Sequence, residues 1–218
     1  MSQTQYSAEH VSLLSKALGK VGLTMAHLDG KSYGAATHSG PMIVSSDPTQ
    51  DNLGTTLIKV DSVQQLKDLA GIHDDHFKAM PSADRAVRYP ETPVTNFALA
   101  ISRARNDNCA LETLIHQDDM KNIGHAMLAY VNGDSSKVAH YEPVINAMRF
   151  PAQATLTVAN DITIAAGKPL IIGANSPYLQ HDPVLGALCV FGTVTIERGG
   201  QIQVMVPATI KAAKIISL

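Results

Sequence analysis

The sequence predicts an α+β fold, with a mainly helical region over residues 1–150 and a β-rich region over residues 151–218. In the N-terminal two-thirds, apolar residues recur every three or four positions, which is typical of amphipathic helices. After Pro151 the sequence becomes rich in Val, Ile and Thr with two-residue alternation, which is typical of strands. A segment repeated within the β-rich region supports this division.

The first part of the chain alternates between regular and irregular segments. An amphipathic helix is predicted to begin after Ser7 and to stop at Gly22. Glycine and proline are then frequent over residues 24–54, which predicts irregular structure with a short strand at Met42–Val44. The alternating β-branched residues 55–60 predict a further strand.

Helical patterns dominate the next ninety residues. Ser62 is a predicted helix cap and Gly71 a predicted helix stop, and the prolines within residues 74–93 predict a loop. The strongest helical period runs through residues 94–148, with a break at the polar residues 105–108. The sequence therefore predicts a helical core of about three segments here.

Two stretches of the β-rich region share one pattern at a shift of 32 residues. ITIAAGKPLII occupies residues 162–172, and VTIERGGQIQV occupies residues 194–204. Each contains an alternating apolar stretch, a glycine and a second alternating stretch. The matching positions are Val158 and Val190, Ile162 and Val194, Ile164 and Ile196, Gly167 and Gly199, Leu170 and Ile202, and Ile172 and Val204.

Two interpretations of this repeat are open. In the first, each copy is a β-hairpin of a sandwich-like sheet pair, with AAGK or ERGG as its turn. In the second, each copy is a rung of a short β-solenoid, and residues 173–188 loop out between rungs. Matched register is useful only in the second interpretation, because stacking places identical positions over one another.

The pattern I-T-I-x-x-G-x-x-L-x-I resembles the rungs of right-handed parallel β-helix proteins, which include bacterial surface adhesins and polysaccharide-degrading enzymes. The resemblance covers about residues 155–218 and implies stacked parallel strands. A third copy, VPATIKAAKIISL, keeps Ile210 and Ile215 but lacks the glycine corner. The polysaccharide-cleaving residues of that family do not transfer, because no run of acidic and basic residues lies on the two copies.

Composition argues against two classes of partner. The 17 Lys and Arg residues nearly balance the 19 Asp and Glu residues, so no strong field of one sign attracts nucleic acid or an anionic membrane. The sequence shows no signal-peptide pattern and no apolar run of membrane-spanning length. These features predict a cytoplasmic protein, and export by a route without a cleaved signal stays open.

The sequence contains no motif that predicts a catalytic residue or a bound cofactor. It lacks the G-x-S-x-G elbow of serine hydrolases and the glycine-rich loops that bind nucleotide phosphates. Cys109 lies in a helical pattern and Cys189 in an apolar run, and both are interpreted as buried free thiols. A disulfide between them is an open alternative.

Histidine and aspartate residues supply the candidate metal ligands. On a helix, His73 and His76 share a face, as do His116 and Asp119, and imidazole with carboxylate suits zinc or iron. No H-E-x-x-H or similar motif accompanies them, so they are also interpreted as solvated residues at helix ends. We do not expect His73, His76, His116 and His125 to converge on one ion.

A sugar-binding surface is a further candidate. Carbohydrates stack on exposed aromatic rings, and Tyr33, Tyr89 and Tyr178 lie in loop-like segments. A loop tyrosine more often packs over its own segment.

Self-assembly is the function that the sequence favours. Only 17 % of the residues are charged, which leaves the surface less protected against association. The chain also ends on the apolar β pattern KIISL, and a terminal strand is a natural sheet edge. The sequence therefore predicts a non-enzymatic structural or interaction protein that forms homo-oligomers through its β-rich region. The alternatives are a metal-dependent enzyme that uses the His and Asp pairs and a carbohydrate-binding module, whose ligand the sequence does not identify.

Overall fold

The computed structural model describes residues 6–84, 86–173 and 184–218. The chain divides into two compact units. The first comprises Met1–Lys59 together with Gln153–Leu218, and the second comprises Val60–Ala152. We refer to them as the sheet unit and the helical unit. The sheet unit is built from both ends of the chain.

The strands of the described residues form two sheets. Their bounds are β1 Ser32–Tyr33, β2 Met42–Val44, β3 Thr56–Val60, β4 Ala152–Ile164, β5 Leu170–Ile172, β6 Val184–Ile196, β7 Ile202–Val204 and β8 Ala208–Ser217. The larger sheet has the order β1-β4-β6-β8, with β3 also paired to β4, and the smaller sheet has the order β2-β5-β7. The pairings β1-β4, β4-β6, β6-β8, β2-β5 and β5-β7 are all parallel.

The residues matched by the sequence repeat are partners in these ladders. Ile162 pairs with Val194 and Ile164 with Ile196 in the larger sheet, while Leu170 pairs with Ile202 and Ile172 with Val204 in the smaller one. Gly167 and Gly199 both have positive φ, at 71° and 81°. A residue with a side chain rarely adopts this conformation, which explains why each copy has glycine where the chain turns from one sheet toward the other.

The predicted α+β fold, helical first and β afterwards, is wrong. The fold is mixed α/β, because β1, β2 and β3 lie near the N-terminus and pair with strands from the C-terminal part. Strands of two, three and five residues are too short to impose a clear period on a segment rich in glycine and proline. The partners of β1 and β2 lie more than a hundred residues away along the chain, beyond the reach of local patterns.

The hairpin interpretation of the repeat is also wrong. β4 and β5, which carry the two halves of the first copy, belong to different sheets and pair with the second copy instead. The relationship to the parallel β-helix family stays a prediction.

Apolar side chains fill the space between the two sheets. The cluster includes Met42 and Leu53 from the N-terminal segment and Ile164, Leu170 and Phe191 from the C-terminal strands. On the outer face of the larger sheet, helix α1 (Ala8–Gly19) contacts β6 and β8. Leu14 and Leu18 are the buried residues of this helix. Ser7 caps α1 as predicted, since its side chain accepts a hydrogen bond from His10 N.

The helical unit contains the remaining helices. Their bounds are α2 Val63–Ala70, α3 Asp74–Ala79, α4 Pro81–Asp84, α5 Phe97–Asn106, α6 Gln117–Asn132 and α7 Glu142–Arg149. Short 3-10 segments occupy Met25–His27 in the sheet unit and Leu111–Leu114 and Ser135–Tyr141 in the helical unit. The Ser62 cap of α2 is confirmed, since its hydroxyl accepts a hydrogen bond from Gln65 N at 3.1 Å. The predicted loop over residues 74–93 is wrong in its first part, where α3 and α4 lie.

Candidate functional site

The first pair of predicted metal ligands lies at the start of α3. His73 precedes this helix and is 81 % exposed, with Nδ1 3.7 Å from the Asp75 carboxylate. His76 is exposed, and its ring stands edge-on to the buried ring of Phe77. This arrangement matches a solvated helix end.

The second pair lies at the start of α6. His116 is the N-cap residue, and its Nδ1 accepts a hydrogen bond from Asp118 N at 3.3 Å. Asp119 is buried, and its two carboxylate oxygens accept hydrogen bonds from Val94 N at 3.1 Å and Thr95 N at 2.7 Å. Burial disfavours the Asp119 carboxylate, but the hydrogen bonds from Thr95 and Val94 outweigh it and hold its pKa below the usual value. Asp119 therefore anchors the segment that precedes α5.

These residues do not assemble into a metal centre in the part of the chain that the structure describes. Within residues 6–84, 86–173 and 184–218, no three His, Cys, Asp or Glu side chains are grouped so that they could hold one ion. The described residues therefore supply no metal site of the kind that the metal-enzyme alternative requires.

Two of the tyrosines proposed to bind sugar, Tyr33 and Tyr89, are held by hydrogen bonds of their hydroxyl groups. Tyr33 is half-buried and donates its hydroxyl hydrogen bond to Leu53 O at 3.2 Å. The Tyr89 hydroxyl bonds to the Asp84 carboxylate and accepts a hydrogen bond from Asp134 N. Tyr178 lies outside the described residues. Neither Tyr33 nor Tyr89 offers a fully exposed ring for stacking.

The two cysteines are free and differ in environment. Cys189 is buried in β6, and burial raises the pKa of its thiol to about 12. Cys109 is exposed, which corrects its interpretation as a core residue. The helical period continues on both sides of Cys109, but α5 ends before it at Asn106.

One end of the sheet unit is closed by a polar loop. We call it the closed end and define it as β2 and residues 51–53. Here the backbone N–H and C=O groups of Ile43, which face the free edge of β2, are already hydrogen-bonded. Ile43 N donates to Asn52 Oδ1 at 2.7 Å, and Asn52 N donates to Ile43 O at 3.2 Å. Leu53 is fully buried against Met42 and Val44. This cap was not predicted from the sequence, although an Asp-Asn pair in a turn-rich segment is typical of side chains that bond to the main chain.

The opposite end of the same stack is apolar and exposed. We call it the open end and define it as β7, Met205, β8 and Leu218. Along one column of ladder partners, the exposed fraction rises from 0 % at Ile162 and 2 % at Val194 to 66 % at Ile215. Along a second column it rises from 0 % at Ile172 to 53 % at Val204. Among the described residues, nothing apolar covers the last side chains of these two columns.

Two lysines lie on β8 at the open end and add polar, charged groups to this apolar surface. Lys211 is partly buried on β8, and burial, with a contribution from Lys20, lowers its pKa. Lys214 is exposed and immediately precedes Ile215. Lysine on an edge strand commonly limits pairing with other chains, so the open end combines apolar surface with a restraint on association.

In residues 6–84, 86–173 and 184–218, none of the helices combines the length and the apolar character needed to cross a bilayer. No protein-family model matches the chain, and neither does any of the curated proteins or solved structures compared with it.

Proposed function

We propose that the chain is a structural or interaction protein that self-associates through the open end, which docks on the open end of a second copy. One observation carries the proposal: within the described ranges of the chain, the two apolar columns are covered at the closed end and exposed at the open end. Val44 is 1 % exposed at the first position of its column, whereas Val204 is 53 % exposed at the last. Burying such side chains stabilises an interface by roughly 25 cal/mol per Å² of apolar surface removed from water.

The asymmetry favours a closed dimer over a filament. Filament growth requires the open end of one copy to meet the closed end of the next. At the closed end Asn52 already bonds Ile43 and Leu53 already covers the core, so that edge is a poor template. Two open ends present the same surface to each other and form an interface that closes at two copies.

Lys214 is expected to keep this association reversible. A two-fold contact between open ends brings Lys214 of each copy into one interface, where the like charges repel. Added salt screens that repulsion, so we expect the dimer to tighten as ionic strength rises. Lys214→Gln is expected to tighten the dimer at low salt.

Sedimentation velocity over a wide concentration range tests the proposal. We expect a reversible monomer–dimer equilibrium for the unaltered chain. Ile215→Lys places a charge in the apolar contact and is expected to weaken the dimer by more than about tenfold in Kd, or about 1.4 kcal/mol. Leu128→Lys is the matched control, because Leu128 is a 54 % exposed apolar residue on α6 of the helical unit.

Three outcomes would overturn the proposal. They are a monomer at every concentration, a dimer indifferent to Ile215→Lys, and equal weakening by Leu128→Lys. Growth into long polymers would contradict the closed geometry. Circular dichroism of each variant establishes that it remains folded.

A further inference from the structure

The helical unit contains a groove that takes no part in the proposed self-association. Its volume is about 770 Å³, within the range of roughly 300–1,000 Å³ that is common for small-molecule sites. It lies between α5 and α7 and is bordered by Leu111 of a 3-10 segment. Ile101, Leu111 and Phe150 supply partly exposed apolar walls, and the helices contribute alanines, which leave room between them.

The polar groups of this groove are all suited to an anion. Of the described residues that line it, Arg105 is the one charged residue, and none carries a carboxylate. Within the described part of the chain, the Arg105 guanidinium makes no ion pair or side-chain hydrogen bond. Asn146 Oδ1 accepts a hydrogen bond from Val63 N at 2.9 Å, which fixes the amide orientation and leaves its NH2 group as a donor.

We propose that this groove binds a small anionic amphiphile of the medium-chain carboxylate class. The apolar chain would lie against Ile101, Leu111 and Phe150. The carboxylate would pair with Arg105, whose planar group can donate two parallel hydrogen bonds to it, and with the Asn146 amide. Charge and shape together therefore select an anionic head joined to an apolar tail.

The rate at which Cys109 is chemically modified can report whether the groove holds a ligand. It lines the groove and is exposed, whereas Cys189 is buried and has a raised thiol pKa. A thiol reagent applied to the folded protein should therefore modify Cys109 selectively, because the thiolate is the reactive form. A ligand in the groove should slow that modification.

The test measures the rate of Cys109 modification by a disulfide reagent against the concentration of decanoate, kept below the concentration at which it forms micelles. We expect saturable protection by decanoate and little protection by a neutral decyl glycoside with the same tail. Arg105→Gln is expected to weaken decanoate binding by about tenfold, or about 1.4 kcal/mol, because it removes a hydrogen bond between two charged groups. Arg103→Gln is the matched control, because Arg103 lies in the same last turn of α5 outside the groove.

A second readout removes the dependence on the thiol. In the unaltered chain, calorimetry or NMR titration with decanoate should give the same affinity as the thiol protection does. Absence of saturable protection would overturn the proposal, as would equal protection by the neutral glycoside. If Arg103→Gln and Arg105→Gln lost affinity equally, the positive charge of the surface and not a specific contact with Arg105 would explain binding. That result would also overturn the proposal.

Discussion

Lys67 of the helical unit is a buried cation with a full set of partners. The residue is 6 % exposed, and its Nζ donates to Tyr130 O at 2.8 Å and Gly133 O at 2.7 Å. Nζ also lies 2.8 Å from Asp74 Oδ1, and Asp74 accepts further hydrogen bonds from Ser135. Burial opposes ionisation of Asp74, yet the bonds from Lys67 and Ser135 prevail and lower its pKa. This network connects α2, the start of α3 and the end of α6.

We predict that Lys67→Met lowers the free energy of unfolding by about 3 kcal/mol, at the low end for breaking a buried ion pair because Asp74 is 29 % exposed. The loss arises because two carbonyl groups and a carboxylate lose their donor. Urea unfolding followed by circular dichroism at the helical band measures the change.

Lys78→Met is the control for this prediction. Lys78 pairs with Asp75 at 3.1 Å, but both side chains are exposed, so the pair should contribute nothing measurable to stability. A Lys67→Met variant as stable as Lys78→Met would contradict the role assigned to the buried network.

Among the structural elements, those set by local chemistry could be predicted from the sequence and those set by distant pairing could not. The caps at Ser7 and Ser62 and the strand Met42–Val44 were found, because a cap side chain or an apolar triplet shows in a few residues. The parallel pairing of β2 with β5 was not predicted, since nothing in the sequence near residue 42 indicates a partner near residue 170.

The candidate site was predicted only in part. The apolar C-terminal strand was recognised as an edge, and β8 is the last strand of the larger sheet. The closed end depends on Asn52 reaching Ile43, and the groove depends on how α5 and α7 pack. Neither arrangement has a period or motif that sequence reasoning could detect.

At the scale of the elements, we predict that the same Ile→Ala substitution lowers stability by different amounts at different positions of one ladder column. Ile162 and Ile215 occupy one column, but the first is fully buried and the second is 66 % exposed. Ile162→Ala is expected to lower the free energy of unfolding by about 3 kcal/mol, through lost burial and a cavity. Ile215→Ala should change it by less than about 0.5 kcal/mol at protein concentrations where the chain is monomeric.

Cys189 supplies the measurement for this pair. In a Cys109→Ser background, its buried thiol becomes reactive only when the sheet unit opens, so the urea concentration at which it reacts reports that unit. If Ile162→Ala and Ile215→Ala lowered the free energy of unfolding equally, the difference in exposure along the column would have no effect on stability.

At the scale of the whole molecule, the chain order makes the helical unit an insertion within the sheet unit. The sheet unit is interrupted after Lys59 and resumes at Gln153. The strands on either side of the interruption are neighbours, since Thr55 Oγ1 lies 2.8 Å from Thr157 Oγ1 and Thr56 Oγ1 donates to Leu156 O at 3.4 Å. Insertions whose flanking segments lie close together are compatible with independent folding of both parts.

We therefore predict that residues 60–152 fold alone into a helical monomer. The segment contains its own buried apolar residues, including Ile123, Tyr141 and Ile145, and its own polar network around Lys67.

We also predict that the remaining chain, with residues 60–152 replaced by a flexible Gly/Ser linker of about ten residues, keeps its sheets and self-associates like the intact protein. Circular dichroism and cooperative thermal unfolding measure folding, and sedimentation velocity measures association. A non-cooperative, disordered 60–152 segment would show that its buried residues do not suffice as a core. If the excised helical segment dimerises while the linked sheet unit stays folded and monomeric, self-association belongs to the helices, and the open end is not the interface.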